Sequence, residues 1–247
     1  MLNCEFSETQ FSFCYTFELL RREFGSLPFR LWPIPLFPNT VVEGRVGGGY
    51  DMCVGSLFLQ FKIPKVYEKK SFKMSKEWAV FRQSFFAIEV NTDSKQYQLL
   101  KDLKRPANVV FYATPEFYES ASLDNNYRHS MIEAHSALFA IEDFPRHSSG
   151  HHRLIYTETH DHGVLFSKPQ NIQKRRLELL AKFQPDPMSI REKARVLLSI
   201  IEKVDGEERH VQEMSRRNET GIVMDVFSIL WTQFNIFWLP IIENDRH

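Results

Sequence analysis

The sequence predicts a mixed α/β fold, for three reasons. Strand and helix periodicities alternate over roughly the first half of the chain, the strands are short and bounded by turn residues, and the last third turns to helical spacing. At 247 residues the chain fits one large domain or a domain with a smaller subdomain, and it can bury a sizeable core. Phenylalanine is abundant, with 22 copies, which points to a large aromatic core or to apolar surfaces that meet a partner.

Residues 7–24 read as a helix. Ser7 is an N-cap, Gln10 completes a capping box, and Phe6 and Phe11 stand at the two positions of a hydrophobic staple. Phe13, Phe17, Leu20 and Phe24 recur at helical spacing and predict a core-facing stripe, with Glu18 off it, beside Cys14 and Tyr15. Gly25 stops the helix. Pro28, Pro33, Pro35 and Pro38 keep residues 28–38 extended. Residues 40–42 suggest a short strand leading to Glu43, broken by Gly47, Gly48 and Gly49. Residues 50–54 and 57–63 read as a hairpin about the Gly55-Ser56 turn.

Residues 64–85 read as a loop and short helix, and they are the most basic part of the chain. A strand is expected at 85–90, a helix at 94–104 with Tyr97, Leu100 and Leu103 on one face, and a strand at 109–113. Residues 116–143 read as irregular and helical, and 154–157 and 164–166 as short strands. From about 171 the pattern is helical, over 171–183, 188–204 and 208–238. The resulting division is an α/β domain over 1–168 and a helical region over 169–247.

Composition excludes some functions. Formal net charge is zero, whereas a free-standing nucleic-acid binder is usually basic, so such binding has to rest on local patches or other subunits. Cys4, Cys14 and Cys53 are scattered and read as thiols in a reducing cytosol. The N-terminus lacks a basic stretch followed by an apolar run, so a cytoplasmic protein is expected. The apolar stretch at 220–240 carries Asp225, Gln233 and Asn235, and it reads as a core or partner-facing helix that does not cross a membrane. His147, His151, His152, His160 and His162 are dense, but no ligand spacing completes a zinc site.

The segment Glu43–Lys62 concentrates the chemistry. Side chains alternate along a strand, so Leu57, Leu59, Phe61 and Ile63 share one face, and Phe58, Gln60 and Lys62 share the other. A hairpin brings Asp51 towards Gln60. A hard cation such as Mg²⁺ takes carboxylate and amide oxygens and keeps several waters. Asp51 and Gln60 offer such oxygens. Lys62 suits the orientation of an attacking water or the stabilisation of phosphate charge. Glu43 or Glu18 would supply another acid. Lys65, Lys69, Lys70 and Lys73 follow directly as a phosphate-facing patch. A plainer reading makes Gln60 and Lys62 an exposed strand face.

Asp-x8-Gln-x-Lys on adjacent strands, after a helix that contains a glutamate, resembles the PD-(D/E)XK nuclease superfamily in its Gln-x-Lys, Mrr-like variant. The run FSETQF, FPNTVVEGRVGGGYD and LFLQFK is also similar to uncharacterised bacterial proteins associated with phage defence. The resemblance implies a restriction-endonuclease-like mixed sheet with an αβββαβ core. It implies Mg²⁺- or Mn²⁺-dependent cleavage of DNA, with Asp51, Gln60 and Lys62 as the catalytic triplet and Glu18 and Glu43 as acidic auxiliaries. The sequence departs from the family pattern at two points: no proline precedes Asp51, and Gln60 replaces an acid. Two rivals follow. One is a noncatalytic subunit of a larger defence complex, joined to a partner or to itself through residues 220–240. The other is a nucleic-acid sensor that uses the basic segment without cleavage.

Overall fold

The computed structural model describes residues 1–24, 51–54, 57–104, 108–145, 150–166, 169–176, 188–205, 219–234 and 236–239. The architecture is mixed α/β. In chain order the described elements are β1 (Leu2–Asn3), α1 (Glu8–Phe24), β2 (Asp51–Val54), β3 (Leu57–Phe61), β4 (Lys65–Tyr67), α2 (Ser75–Phe81), β5 (Phe85–Asn91), α3 (Lys95–Leu103) and β6 (Val109–Pro115). They continue with α4 (Ser120–Arg128), β7 (Ser136–Ala140), β8 (His151–Tyr156), β9 (His162–Leu165), β10 (Gln170–Arg175), α5 (Ile190–Asp205), α6 (Glu219–Phe234) and β11 (Ile236–Leu239). Short 3₁₀ turns occupy Phe72–Met74 and Ile141–Asp143.

The chain forms two compact units that interleave along the sequence. The first comprises Met1–Ile34, Gln60–Asp93 and Phe111–Leu180; the second comprises Pro35–Leu59, Ser94–Val110 and Ala181–His247.

In the first unit the strand order is β1-β4-β5-β8-β9-β10-β7-β6. The register of β5 and β8 sets Phe86 opposite Tyr156, with rings 5.4 Å apart, and Glu89 opposite Arg153, joined by a 2.9 Å ion pair. Helix α1 starts at a complete capping box: the Ser7 amide donates to Gln10 Oε1 at 2.8 Å and the Gln10 amide to Ser7 Oγ at 3.1 Å. Its buried face is rotated from the expected stripe. Phe11, Tyr15, Leu19 and Leu20 are buried, while Phe13 is 38% exposed and stacks on Phe17 at 6.3 Å. Two aromatic stripes compete on this helix. The one through Phe11 and Tyr15 wins because both rings pack edge-on against Phe61, at 5.8 and 5.5 Å.

In the second unit β11 runs parallel to β2, pairing Ile236 with Asp51 and Trp238 with Cys53. Strand β3 lies on the other side of β2. Ser94 caps α3 through a 3.1 Å bond from the Tyr97 amide, and Asn108 closes its far end by donating to Leu103 O at 2.7 Å. The Tyr97, Leu100 and Leu103 face is buried as expected, joined by Leu99. Helix α5 packs on α3 and on α6, and Ser189 with Glu192 forms its capping box.

Four sequence expectations are corrected. The described final helix ends at Phe234, and Ile236–Leu239 form β11, whose Ile236 and Trp238 are buried. Within the 220–240 stretch, Val226, Leu230, Phe234, Ile236 and Trp238 are buried, which agrees with the core side of the expectation. Residues 170–175 form a strand, with Ile172 and Lys174 buried and Asn171 and Gln173 exposed in strict alternation; residues 177–183 lie outside the described set. Residues 136–140 form a fully buried strand, because pairing on both sides with β6 and β10 overrides the weak strand propensity of Ser and Ala. Residues 65–67 form an additional strand inside the basic segment. The expected strand at 40–42, the glycine run and the Gly55-Ser56 turn lie outside the described residues. No helix among the described residues is long and apolar enough to cross a membrane.

Candidate functional site

Asp51 opens β2 and is 1% exposed. A carboxylate is expensive to bury without partners. Here the Gln96 side-chain amide, in the first turn of α3, donates to Asp51 Oδ2, and it also donates to the Phe234 carbonyl at 3.4 Å, so one amide ties β2 to the end of α6. Ser94, by capping α3, fixes the turn on which Gln96 sits. The sequence offered no signal for Gln96, which is one polar residue among several in its helix.

Every residue of β3 is buried, and Gln60 is 3% exposed. The exposed-strand reading of Gln60 is thereby excluded. Phe58, on the same strand, lies under the Lys193 ammonium at 6.0 Å; Lys193 is itself buried and donates to Asn108 Oδ1 at 2.5 Å. Lys62 follows β3, is half-buried, and donates its backbone N–H to Ala113 O at 2.9 Å. Asp51 belongs to the second compact unit, Gln60 and Lys62 to the first.

Glu18 is buried on α1, where its oxygens accept the backbone amides of Ile132 and Glu133 at 2.9 and 3.1 Å. This is structural work, holding the turn that precedes β7. Glu43 lies outside the described residues. Lys65, Lys69 and Lys70 are exposed, and the side chain of Lys73 lies outside the described set. Among the described residues no carboxylate pairs with Lys62, Lys65, Lys69, Lys70, Lys76 or Arg82. The acids of this segment are occupied elsewhere: Glu68 accepts from Tyr118 Oη at 2.8 Å, and Glu77 pairs with Arg153 at 3.2 Å. The segment thus presents an excess of positive charge.

The sequence reading missed a second charged group, in the first unit. Glu116 is fully buried between two cations. Lys174 Nζ lies 2.7 Å from Oε1, and Arg176 pairs with Oε2. The ammonium also donates to the Thr157 and Glu158 carbonyls, at 2.8 and 2.9 Å. Burial pulls the Lys174 amine below its ordinary range, and the Glu116 carboxylate opposes that shift. With its three donors used, Lys174 is a structural cation. No spacing rule joins residues so distant in sequence.

His160 and His162 lie in and beside the turn into β9. His160 Nδ1 is 2.7 Å from Thr157 Oγ1, His162 Nδ1 is 2.9 Å from Asp161 Oδ1, and the two rings are 5.9 Å apart. Among the described residues no group of three His, Cys, Asp or Glu side chains could hold a metal ion. Of the two motif residues, Asp51 offers a carboxylate oxygen and Gln60 an amide oxygen, the donor types that a hard, water-rich cation such as Mg²⁺ takes. No family model, curated protein or solved structure matches the chain.

Proposed function

We propose that the chain is a divalent-metal-dependent nuclease of the PD-(D/E)XK type that cleaves DNA phosphodiester bonds, acting in bacterial defence against phage. The observation that carries this reading is the burial of both polar motif residues, Asp51 at 1% and Gln60 at 3% exposure, on adjacent strands. Burying two polar side chains at motif spacing is costly, and a bound ion would offset part of that cost. The order of the described elements, α1, then β2 and β3, later α3 and β6, with β4, α2 and β5 between them, is compatible with an αβββαβ plan.

In this reading Asp51 and Gln60 would hold Mg²⁺ or Mn²⁺, with Glu43 as a further acid. The ion would supply a polarised phosphate and an acidified water. Gln96 fixes the orientation of the Asp51 carboxylate. The Lys62 ammonium would orient the water or stabilise charge on the phosphate. The side chains of Lys65, Lys69, Lys70 and Lys73 would hold the DNA backbone.

The test is cleavage of plasmid and linear DNA by purified protein with Mg²⁺ or Mn²⁺. Cleavage that Asp51→Ala and Lys62→Ala each abolish, with melting temperature retained, supports the reading. Undiminished cleavage by either variant refutes it.

One contact favours a second reading. Gln96 occupies an Asp51 oxygen that a metal would use, and Gln60 brings no charge. A nuclease-fold subunit without activity, regulating or building a defence complex, accounts for both. Inactivity of the wild-type protein alone, together with a stable complex with a protein encoded beside it, would favour that role.

A further inference from the structure

Phe72 is 97% exposed, the most exposed large apolar side chain among the described residues. Its surroundings make this exposure specific. Phe72 opens the 3₁₀ turn Phe72–Met74, which is closed by the Met74 amide donating to Ser71 O at 3.2 Å. The other end of the turn is anchored: Met74 is buried in an apolar cluster with Tyr67, Phe81 and Phe85, and Trp78 packs against that cluster. A fixed turn therefore holds one aromatic ring in solvent, and nothing in the packing of this unit uses it. Around it in sequence stand seven basic residues between 62 and 82 against two acids, both of which are occupied by other partners.

We propose that Phe72 is a base-stacking tip, and that the surface it crowns grips nucleic acid at unpaired bases in preference to intact duplex. The inference rests on the nucleic-acid side of the function proposed above and adds a substrate class to it. Lysines flanking an exposed ring are the arrangement that tracks a phosphate backbone while a base stacks on the aromatic face. In a duplex the base faces are already covered, and exposing one costs unstacking, so the ring adds affinity only where bases are free. A membrane surface would also accept lysines and an aromatic ring, but interfacial binding needs a broad apolar face, and this turn offers a single ring.

The experiment is fluorescence anisotropy of labelled oligothymidylate and of a blunt duplex of equal length, in chelator without metal, at several salt concentrations. Phe72→Ala is expected to weaken oligothymidylate binding about tenfold and duplex binding less than about twofold, and Phe72→Trp to restore the difference. Equal thermal melts of the three proteins establish that folding is not the cause. Unchanged oligothymidylate binding by Phe72→Ala overturns the proposal. Equal losses on both probes overturn it, as does a wild type that binds neither. Phe72-dependent binding to phosphatidylserine vesicles without an effect on oligothymidylate also overturns it and assigns the turn to membranes. Because no metal is present, the two readings fail separately. A wild type that binds in this way but never cleaves rejects the nuclease and leaves the stacking tip. An active nuclease whose Phe72→Ala variant binds normally rejects the tip alone.

Discussion

Replacing Glu116 by Gln isolates a fully buried ion pair in the first unit. The substitution keeps the shape of the side chain and removes one charge from between two cations. Lys174 Nζ and Glu116 Oε1 are 2.7 Å apart, and both side chains are shielded from water, at 5% and 0% exposure. At an effective dielectric constant of about 20 the Coulomb attraction at that distance is about 6 kcal/mol. Desolvation of the two groups cancels part of it, and breaking such a pair by removing one partner costs about 3–5 kcal/mol. The Thr157 and Glu158 carbonyls continue to hold the ammonium, which places the loss near the lower bound, at about 3 kcal/mol, or about a hundredfold in the folding equilibrium. Urea unfolding at neutral pH measures it, with a midpoint falling by about 1 M or more. Lys174→Met should cost less, since Glu116 keeps Arg176, and the double variant should lose less than the sum of the single losses. A loss below about 1 kcal/mol for Glu116→Gln, or equal losses for the two single variants, would refute the reasoning.

Gly163→Ala on β9 should destabilise by about 1–3 kcal/mol, because an added Cβ would meet the Ile155 carbonyl at 2.9 Å, Leu154 Cδ1 at 2.9 Å and Phe139 Cε1 at 3.0 Å; an unchanged melting temperature would contradict this. Glu18→Ala should lose about 2–3 kcal/mol in urea unfolding, through the amides of Ile132 and Glu133 left without their acceptor; lost cleavage with full stability would instead make Glu18 a catalytic acid. Burial raises the Cys4 and Cys14 thiols from 9.0 to about 12 and about 11, with Glu18 adding to the second. Their alkylation at pH 8 should run roughly a hundredfold or more below that of a free thiol. The same shift has a stability consequence. The unfolded chain gives up these protons first, so the contribution is complete below about pH 9 and is lost as pH rises towards 11–12. A flat stability profile over that range would contradict it.

Local signals were readable where the chemistry that fixes an element lies inside it. The Ser7–Gln10 box, the Ser94 cap with its Tyr97 face and the strands at 85–91 and 109–115 follow from adjacent residues. What failed depends on distant partners. The Ser136–Ala140 strand exists because β6 and β10 flank it, and Lys174 tolerates burial because Glu116, far back in sequence, meets it. The rotation of α1 follows from where Phe61 stands. At the hairpin the alternation identified Gln60, but only the sheet disclosed that both faces of β3 are covered, and nothing in the spacing pointed to Gln96 as the partner of Asp51.

The parallel pairing of β11 with β2 also has a temporal side. The Asp51 strand acquires that neighbour only after β11 has been synthesised, and the second unit draws on three separated stretches of sequence. Closing such long loops is entropically costly and slow. Until Ile236 and Trp238 arrive, one edge of the Asp51 strand stays unpaired, and the cover those side chains supply is missing. The strand that carries Asp51 is thus completed only when β11 joins it. A nascent chain that has not yet made β11 would hold Asp51 on a strand with one neighbour missing, so that any activity in which Asp51 takes part would wait for β11.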